Sequence, residues 1–276
     1  MVLDKNTLMQ QWNSLNKDWY SIYQWHGTSR VGYTELVAKW IIELFDDIQL
    51  ETQGLREKDF RIMDHRGQAK LSRSIGQFTE KRFVRAVFNL GQLSLLGKII
   101  DYEVPLKATQ DANHGDIDML CLASNAIMCV EAKSLRSTES VLKAILQAYV
   151  YTSLTYKRHN LFVSEFHLPT TLLLTPAVLT FASAASGRQL HQWDKYPCLG
   201  ALVRRLNAEL SKSGCGGIRF FIINNDKLEP EPCLTTVEQP NGDKKIVFAH
   251  AFTPNIVEWP SSVSYPKGPV DCLSLG

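Results

Sequence analysis

Four charged residues interrupt two apolar segments in the stretch GDIDMLCLASNAIMCVEAKSL, which spans residues 115 to 135. Asp116 and Asp118 stand at the start of one apolar run, whereas Glu131 and Lys133 stand at the end of the other. An unpaired charge in a buried strand costs several kcal/mol, a large part of a domain's stability. We therefore expect these charges to neutralise one another or to hold a cation.

Strand geometry predicts which of the charges come together. Ser124 and Asn125 are turn residues that split the stretch into two strands, and side chains two residues apart in a strand share a face. In an antiparallel hairpin, Asp118 and Glu131 would lie near the same end, where two unit charges roughly 4 Å apart repel by about 4 kcal/mol. They require a cation between them. This is either the ammonium of Lys133, in a buried ion pair, or a divalent ion such as Mg²⁺.

The elements around this hairpin follow from hydrophobic periodicity and turn residues. Thr34 and Thr138 are predicted N-caps, and Asn241-Gly242 predicts a type I′ turn in a late hairpin. The predicted helices lie within 33 to 50, 74 to 92, 138 to 157 and 199 to 212, and the further predicted strands follow Gly97 and span 170 to 177 and 217 to 226. The core order α-β-β-β-α-β is typical of an α/β sheet with helices on its faces.

Short motifs in this order resemble the PD-(D/E)xK nuclease superfamily. The pieces are Asp118 in GDID and the triplet Glu131, Ala132 and Lys133 in VEAK, with Ile117 in place of the proline that names the motif. GQFTE at 76 to 80 is similar to the upstream GxxxE pattern of RecB-type members, and QAYVY at 147 to 151 is similar to their QxxxY pattern. The resemblance covers residues 74 to 176 or so.

The resemblance implies a restriction-endonuclease-like core with a mixed central sheet at residues 71–226. It leaves a helical N-terminal extension at 1–70 and a C-terminal hairpin and tail at 227–276 as additions. It also implies a Mg²⁺ site, with Mn²⁺ as a substitute, held by Asp118, Glu131, the main-chain carbonyl of Ala132, and Glu80. An upstream histidine of the family has no clear counterpart, so either Glu80 replaces it or His65 contributes, and the number of metal ions stays open.

The same resemblance assigns roles to the remaining motif residues. Lys133 would orient the attacking water or neutralise developing charge, and Gln147 would complete the catalytic set. Gln147 and Tyr151 are four residues apart and share a helical face, so Tyr151 is expected either to contact nucleic acid or to pack in the core. Asp116 is either a solvated residue at the strand end or an additional ligand.

A basic run precedes and enters the predicted helix that carries Glu80. Residues 56 to 85 contain nine basic and four acidic residues. Such a run is either a solvated face or a surface that contacts phosphates. The predicted phosphate contacts are Arg73, Lys81, Arg82 and Arg85.

Composition limits the class of protein. The net charge of +2 over 276 residues does not by itself indicate a polyanion partner, so any nucleic-acid surface must be local. The six cysteines form no CxxC pair, which suits a reducing compartment. The start lacks the pattern of a secretory signal and no apolar run approaches the roughly 20 residues of a membrane span. We expect a soluble, cytoplasmic protein that is not associated with a membrane.

These observations predict a Mg²⁺-dependent deoxyribonuclease that acts in defence or in DNA repair. Its partner would be DNA, with RNA not excluded, and it would act alone, as a homodimer or with a partner subunit. The rival hypothesis is a non-catalytic nucleic-acid-binding or scaffold protein that keeps the fold, in which Lys133 alone neutralises the carboxylates. The two differ in whether the site binds metal.

Overall fold

The computed structural model describes residues 5–25, 33–61, 65, 69, 80–109, 115–224, 234–240, 242, 244–248 and 254–259, and every structural statement below concerns these residues. The α-helices are α1 Lys5–Asn13, α2 Trp19–Gln24, α3 Thr34–Glu43, α4 Glu80–Phe88, α5 Val141–Lys157, α6 His159–Phe166, α7 Ala185–His191 and α8 Pro197–Lys212. The strands are β1 Gln92–Leu93, β2 Gly97–Pro105, β3 Asp116–Leu122, β4 Ala126–Lys133, β5 Leu173–Phe181, β6 Arg219–Ile223, β7 Leu234–Glu238, β8 Lys244–Phe248 and β9 Ile256–Trp259.

Seven of these strands form one mixed sheet in the order β1-β2-β3-β4-β5-β6-β9. The strands β1 to β4 are antiparallel neighbours, whereas β4, β5 and β6 run parallel. The step from β4 to β5 uses α5 as its crossover helix, as a parallel pair requires. Helices cover the sheet, so the predicted α/β class with a mixed central sheet is confirmed.

Alternation along the strands divides the core into two apolar layers. On β4, Ile127 and Cys129 belong to the layer that contains α5 and α8, whereas Met128 and Val130 belong to the layer that contains α4. All eight residues of β4 are buried, including the charged pair at its end. The odd-numbered residues of β4, Glu131 and Lys133 among them, therefore face α5.

The N-terminal helices belong to the same layer as α5. Trp19 of α2 packs edge-on against Tyr149 with 5.2 Å between ring centroids, and Tyr23 packs against Tyr151 at 5.8 Å. The segment predicted as an N-terminal extension thus shares one hydrophobic core with the central helix. At the other end of the chain, β9 pairs with β6, so part of the predicted C-terminal addition belongs to the main sheet.

Two predicted helix caps are wrong. Helix α5 is capped by Ser140, whose Oγ accepts a hydrogen bond from the N–H of Lys143 at 3.3 Å, and not by Thr138. Thr34 is the first residue of α3 rather than its cap, and its hydroxyl accepts a hydrogen bond from Gln189 Nε2 at 2.8 Å. In both cases a neighbouring residue adopts the extended or irregular backbone that a cap position needs.

The late hairpin is confirmed, but its turn differs from the prediction. Glu238 pairs with Lys244, which leaves residues 239 to 243 between the strands instead of the two of a type I′ turn. Gly242 has a φ of +81°, a value that glycine adopts readily. The helix predicted over 74 to 92 starts, within the described residues, at Glu80 and ends at Phe88; residues 74 to 79 and the tail beyond 259 lie outside them.

None of the helices in the described part of the chain combines the length and apolar composition needed to cross a bilayer.

Candidate metal centre

Three carboxylates from three elements meet at the end of the sheet. The register of β3 and β4 pairs Met119 with Val130 and continues to Asp118 opposite Glu131. Glu80 approaches from the first turn of α4. One ligand oxygen from each carboxylate lies within 4.8 Å of the others. The structure therefore brings together the three side chains that the resemblance assigns to the metal.

Lys133 is fixed beside this cluster. Its Nζ donates to Glu131 Oε1 at 2.7 Å and to Glu80 Oε1 at 3.2 Å, and it lies 3.4 Å from Gln147 Oε1 on α5. Only 1% of the Lys133 side chain is exposed. Because the ammonium has three donors and no acceptor, these oxygen atoms are suitable partners and restrict its position.

Ala132, between the two charged residues of β4, contacts Asp118 through its main chain. Its N–H donates a hydrogen bond to Asp118 Oδ2 at 2.8 Å. This bond orients the carboxylate of Asp118 toward the cluster. The predicted role of the Ala132 carbonyl as a metal ligand stays a prediction.

A fourth carboxylate, which the sequence analysis missed, completes the surroundings of Lys133. Glu139 lies in the loop between β4 and α5, and its Oε2 is 2.7 Å from Lys133 Nζ. Its other oxygen pairs with Lys143, one turn along the chain. A glutamate four residues before a lysine suggests a surface ion pair, so the sequence carried no signal for the contact with Lys133.

Burial of like charges shifts the pKa of the carboxylates upward. Burial, together with the charges of Glu131 and Glu80, raises the pKa of Asp118 well above its usual range. Burial raises the pKa of Glu131 to about 7 even though Lys133 opposes the shift, and it raises the pKa of Glu80 as well. Without a metal ion the cluster thus retains protons that exposed carboxylates would lose.

The pKa values of Lys133 and Glu139 shift in the directions that favour their charged forms. Burial alone would lower the pKa of Lys133, but the carboxylates of Glu131, Glu80 and Glu139 raise it well above its usual value. Burial opposes the ionisation of Glu139, yet Lys133 and Lys143 lower the pKa of its carboxyl. Fully ionised, the four carboxylates and two ammonium groups would carry a net charge of −2, which one divalent cation neutralises.

The QxxxY motif contacts Lys133 through Gln147, and Tyr151 packs behind that glutamine. Tyr151 is only 4% exposed, and Gln147 Nε2 lies 3.5 Å from its hydroxyl. A Cβ on Gly115 would lie 2.1 Å from that hydroxyl, so the glycine of GDID is the residue that admits the phenol. The predicted contact of Tyr151 with nucleic acid does not agree with this burial; of the two roles considered from the sequence, the packing role fits.

Two further candidate residues, Asp116 and His65, lie outside the three-oxygen cluster. Asp116 is partly buried, and burial raises its pKa. Within the described part of the chain its Oδ1 is buried without a hydrogen-bond partner, while the residue as a whole is partly exposed at the start of β3, so both of its predicted roles stay open. His65 Nδ1 lies 2.9 Å from Asp101 Oδ1 and the ring stacks on Tyr102, so the histidine contacts residues outside the Glu80, Asp118 and Glu131 cluster.

The predicted phosphate contacts differ in what is free to bind. Arg85 forms a bidentate hydrogen bond with Glu103 at 2.7 and 2.9 Å, and its contact with phosphate stays a prediction. Lys81, next to Glu80, has 57% of its side chain exposed, and its Nζ lies 3.9 Å from Glu103 Oε2. Arg82 is partly buried, with its Nε enclosed, and Arg73 lies outside the described residues.

A comparison with protein-family models found no match, and comparisons with curated proteins and with solved structures found none either. The candidate centre is therefore interpreted from its own geometry.

Proposed function

We propose that this chain is a Mg²⁺-dependent nuclease that hydrolyses phosphodiester bonds in DNA. The observation that carries the proposal is the convergence of Glu80, Asp118 and Glu131 within 4.8 Å, beside the buried ammonium of Lys133. An antiparallel β2-β3-β4 unit followed by a helix and a parallel strand also supports a restriction-endonuclease-like core.

The donor set fits a hard divalent cation. All three groups offer oxygen, the ligand that Mg²⁺ prefers, and Mn²⁺ accepts the same set. Glu80, Asp118 and Glu131 would hold the ion, and their raised pKa values indicate excess negative charge for it to neutralise. When bound, such an ion polarises a phosphoryl oxygen and lowers the pKa of a coordinated water.

The protein's own groups supply orientation and charge. Lys133 presents a fixed positive charge 2.7 Å from Glu131, and a preorganised donor of this kind stabilises negative charge that develops on a phosphate. Gln147 and the buried Tyr151 behind it limit the motion of that ammonium. Burial strengthens each of these interactions because water does not screen them.

The surface next to the cluster supports a phosphate-bearing substrate. Lys81 follows Glu80 on α4 and is largely exposed, and we propose that it contacts a backbone phosphate beside the scissile bond. A contact of this type reads no base sequence. DNA processed in defence or repair is the proposed substrate, and RNA is the variant to test in parallel.

Cleavage assays on linear DNA, circular DNA and RNA with Mg²⁺, Mn²⁺ or EDTA test the proposal. We expect metal-dependent cleavage by the parent protein and a loss of about 100-fold or more in Asp118→Asn. The matched control is Asp46→Asn, because Asp46 is an exposed partner of Arg205 and does not belong to the carboxylate cluster. Equal cleavage by Asp118→Asn and the parent would refute the proposal.

The non-catalytic alternative has one observation in its favour. Lys133 already contacts Glu80, Glu131 and Glu139, so the cluster is partly neutralised without a metal ion. A scaffold of this kind would bind DNA without taking up Mn²⁺, and its DNA affinity would be unchanged by Glu131→Gln. Calorimetric titration of Mn²⁺ into the metal-free parent separates the two functions.

A further inference from the structure

Glu139 pairs with two lysines on different elements, Lys133 at the end of β4 and Lys143 on α5. Its carboxylate contacts Lys133 through Oε2 at 2.7 Å and Lys143 through Oε1. The Glu139 side chain is 27% exposed, whereas that of Lys133 is 1% exposed. Glu139 does not belong to the three-oxygen cluster of Glu80, Asp118 and Glu131, nor to any of the motif fragments in the sequence.

The loop that carries Glu139 is anchored on both sides. The carbonyl of Ser137 accepts a hydrogen bond from the N–H of Ala185 at 3.2 Å. On the other side Ser140 caps α5, and the next N–H along the chain donates to Gln189 Oε1 at 2.8 Å. Glu139 therefore has a fixed backbone, and its place before the helix N-terminus favours a negative charge.

Lys133 shares two of its partners with the candidate metal site. Glu131 and Glu80 donate oxygen atoms to that site and also accept hydrogen bonds from Lys133. Once bound to a divalent cation, these two carboxylates would carry less net charge toward the ammonium. In the metal-loaded state, the partners of Lys133 that do not also bind the ion are the neutral amide of Gln147 and the carboxylate of Glu139.

We propose that Glu139 is a positioning residue that keeps the ammonium of Lys133 beside the cluster when Glu131 and Glu80 turn to a divalent cation. Without this counter-charge, the divalent ion would offset most of the attraction that Glu131 and Glu80 exert on the ammonium, and Lys133 would be held less firmly beside the cluster. The inference rests on the proposed nuclease function, since it assigns Glu139 the task of holding Lys133 where the scissile phosphate would lie.

The direct test observes the ammonium group itself. Proton–nitrogen correlation spectra of the lysine side chains detect an ammonium that is buried and hydrogen-bonded, and Lys133→Met assigns its resonance. We expect this resonance to persist in the parent protein on addition of Mg²⁺. In Glu139→Gln with Mg²⁺ we expect it to disappear, because the ammonium protons then exchange rapidly with water. Lys143→Met, which removes the other partner of Glu139, should keep it.

Kinetics provide the second readout. In Glu139→Gln we expect kcat to fall about 10- to 100-fold, with KM for DNA within about twofold of the parent, as for residues that orient a catalytic group. Calorimetry should show Mn²⁺ still binding, because Glu139 is not a ligand. The charge-matched control is Glu209→Gln on α8, where Glu209 pairs with Lys212 and should leave kcat unchanged.

Two results would overturn the inference: a Lys133 resonance that persists in Glu139→Gln with Mg²⁺, or an unchanged kcat in that variant. If Glu139→Gln does not fold, the parent still decides, since loss of its Lys133 resonance on addition of Mg²⁺ would show that Glu139 does not hold the lysine. If the parent protein cleaves no nucleic acid, the proposed function is refuted instead. The spectra still show whether Glu139 holds the ammonium of Lys133.

Discussion

Replacing Asp118 by asparagine should stabilise the metal-free protein while it removes the response to metal. The side chain is partly buried, and this burial, together with the charges of Glu131 and Glu80, raises the pKa of its carboxyl. Asparagine has nearly the same shape, and its carbonyl oxygen can still accept the hydrogen bond that the N–H of Ala132 donates at 2.8 Å. The substitution therefore removes an unfavourable charge without leaving a cavity or an unpaired main-chain group.

The sign follows from the raised pKa and the magnitude from the repulsion inside the cluster. When the pKa of a carboxyl is raised in the folded protein, the protein loses stability as pH rises above the unfolded pKa, because the unfolded chain ionises first. Direct repulsion between two unit charges no more than 4.8 Å apart amounts to at least about 3.5 kcal/mol for one pair at an effective dielectric of 20.

Urea unfolding of the parent and Asp118→Asn at about pH 6, in EDTA and in saturating Mg²⁺ or Mn²⁺, measures both effects. We expect Asp118→Asn to unfold at higher urea than the parent in EDTA, and to gain nothing from metal. The parent should gain about 2.7 kcal/mol at a metal concentration about 100 times its Kd. Asp118→Ala, which leaves the N–H of Ala132 without this acceptor, is the control and should be less stable than Asp118→Asn.

A lower stability of Asp118→Asn than of the parent in EDTA would refute the electrostatic reasoning. An undiminished gain from metal in Asp118→Asn would refute the assignment of Asp118 as a ligand.

Three further perturbations address other parts of the site. Burial raises the pKa of Glu131 to about 7, so the carboxyl ionises in the unfolded chain before it does so in the folded protein. The metal-free parent should therefore lose about 3 kcal/mol of unfolding free energy as the pH rises from the ordinary glutamate pKa to neutrality. Denaturant titrations over that pH range should show a flatter dependence of stability on pH for Glu131→Gln. Gly115→Ala should lower the free energy of unfolding by about 1–3 kcal/mol, because its Cβ would lie 2.1 Å from the hydroxyl of Tyr151. Adding Tyr151→Phe should recover part of that free energy, which a double-mutant cycle measures. Lys81→Met should weaken DNA binding and lower its salt dependence by about one phosphate contact in fluorescence titrations. Arg85→Met, which breaks the pair with Glu103, should leave the salt dependence unchanged. Equal salt dependence in Lys81→Met and the parent would contradict the role of Lys81.

Much of the site was predictable because it depends on local geometry. Alternation along a strand places Glu131 and Lys133 on one face, and a short hairpin brings Asp118 opposite them. Helical spacing likewise places Gln147 and Tyr151 on one side of α5. These relations hold over short stretches of chain, so residue order alone was enough to predict them.

The sequence did not reveal contacts in which a distant element supplies the partner. Arg85, which is predicted to contact phosphate, also pairs with Glu103 on β2, and residue types do not encode that pairing. The burial of Tyr151 depends on Tyr23 of α2, which reaches it only because the N-terminal helices pack on α5. Such contacts depend on how helices and sheet are stacked, which periodicity within a single element does not specify.

The sequence by itself determined the α/β class and the identity of the carboxylates and lysine that share one end of the sheet, because strand period and hairpin register are local properties. Only the tertiary structure decided that Glu139 also contacts Lys133, that Gly115 admits the hydroxyl of Tyr151, and that the cluster is buried deeply enough to raise the pKa of its acids. The physical reason is that burial and charge pairing depend on every element packed around a group, and those elements come from distant parts of the chain.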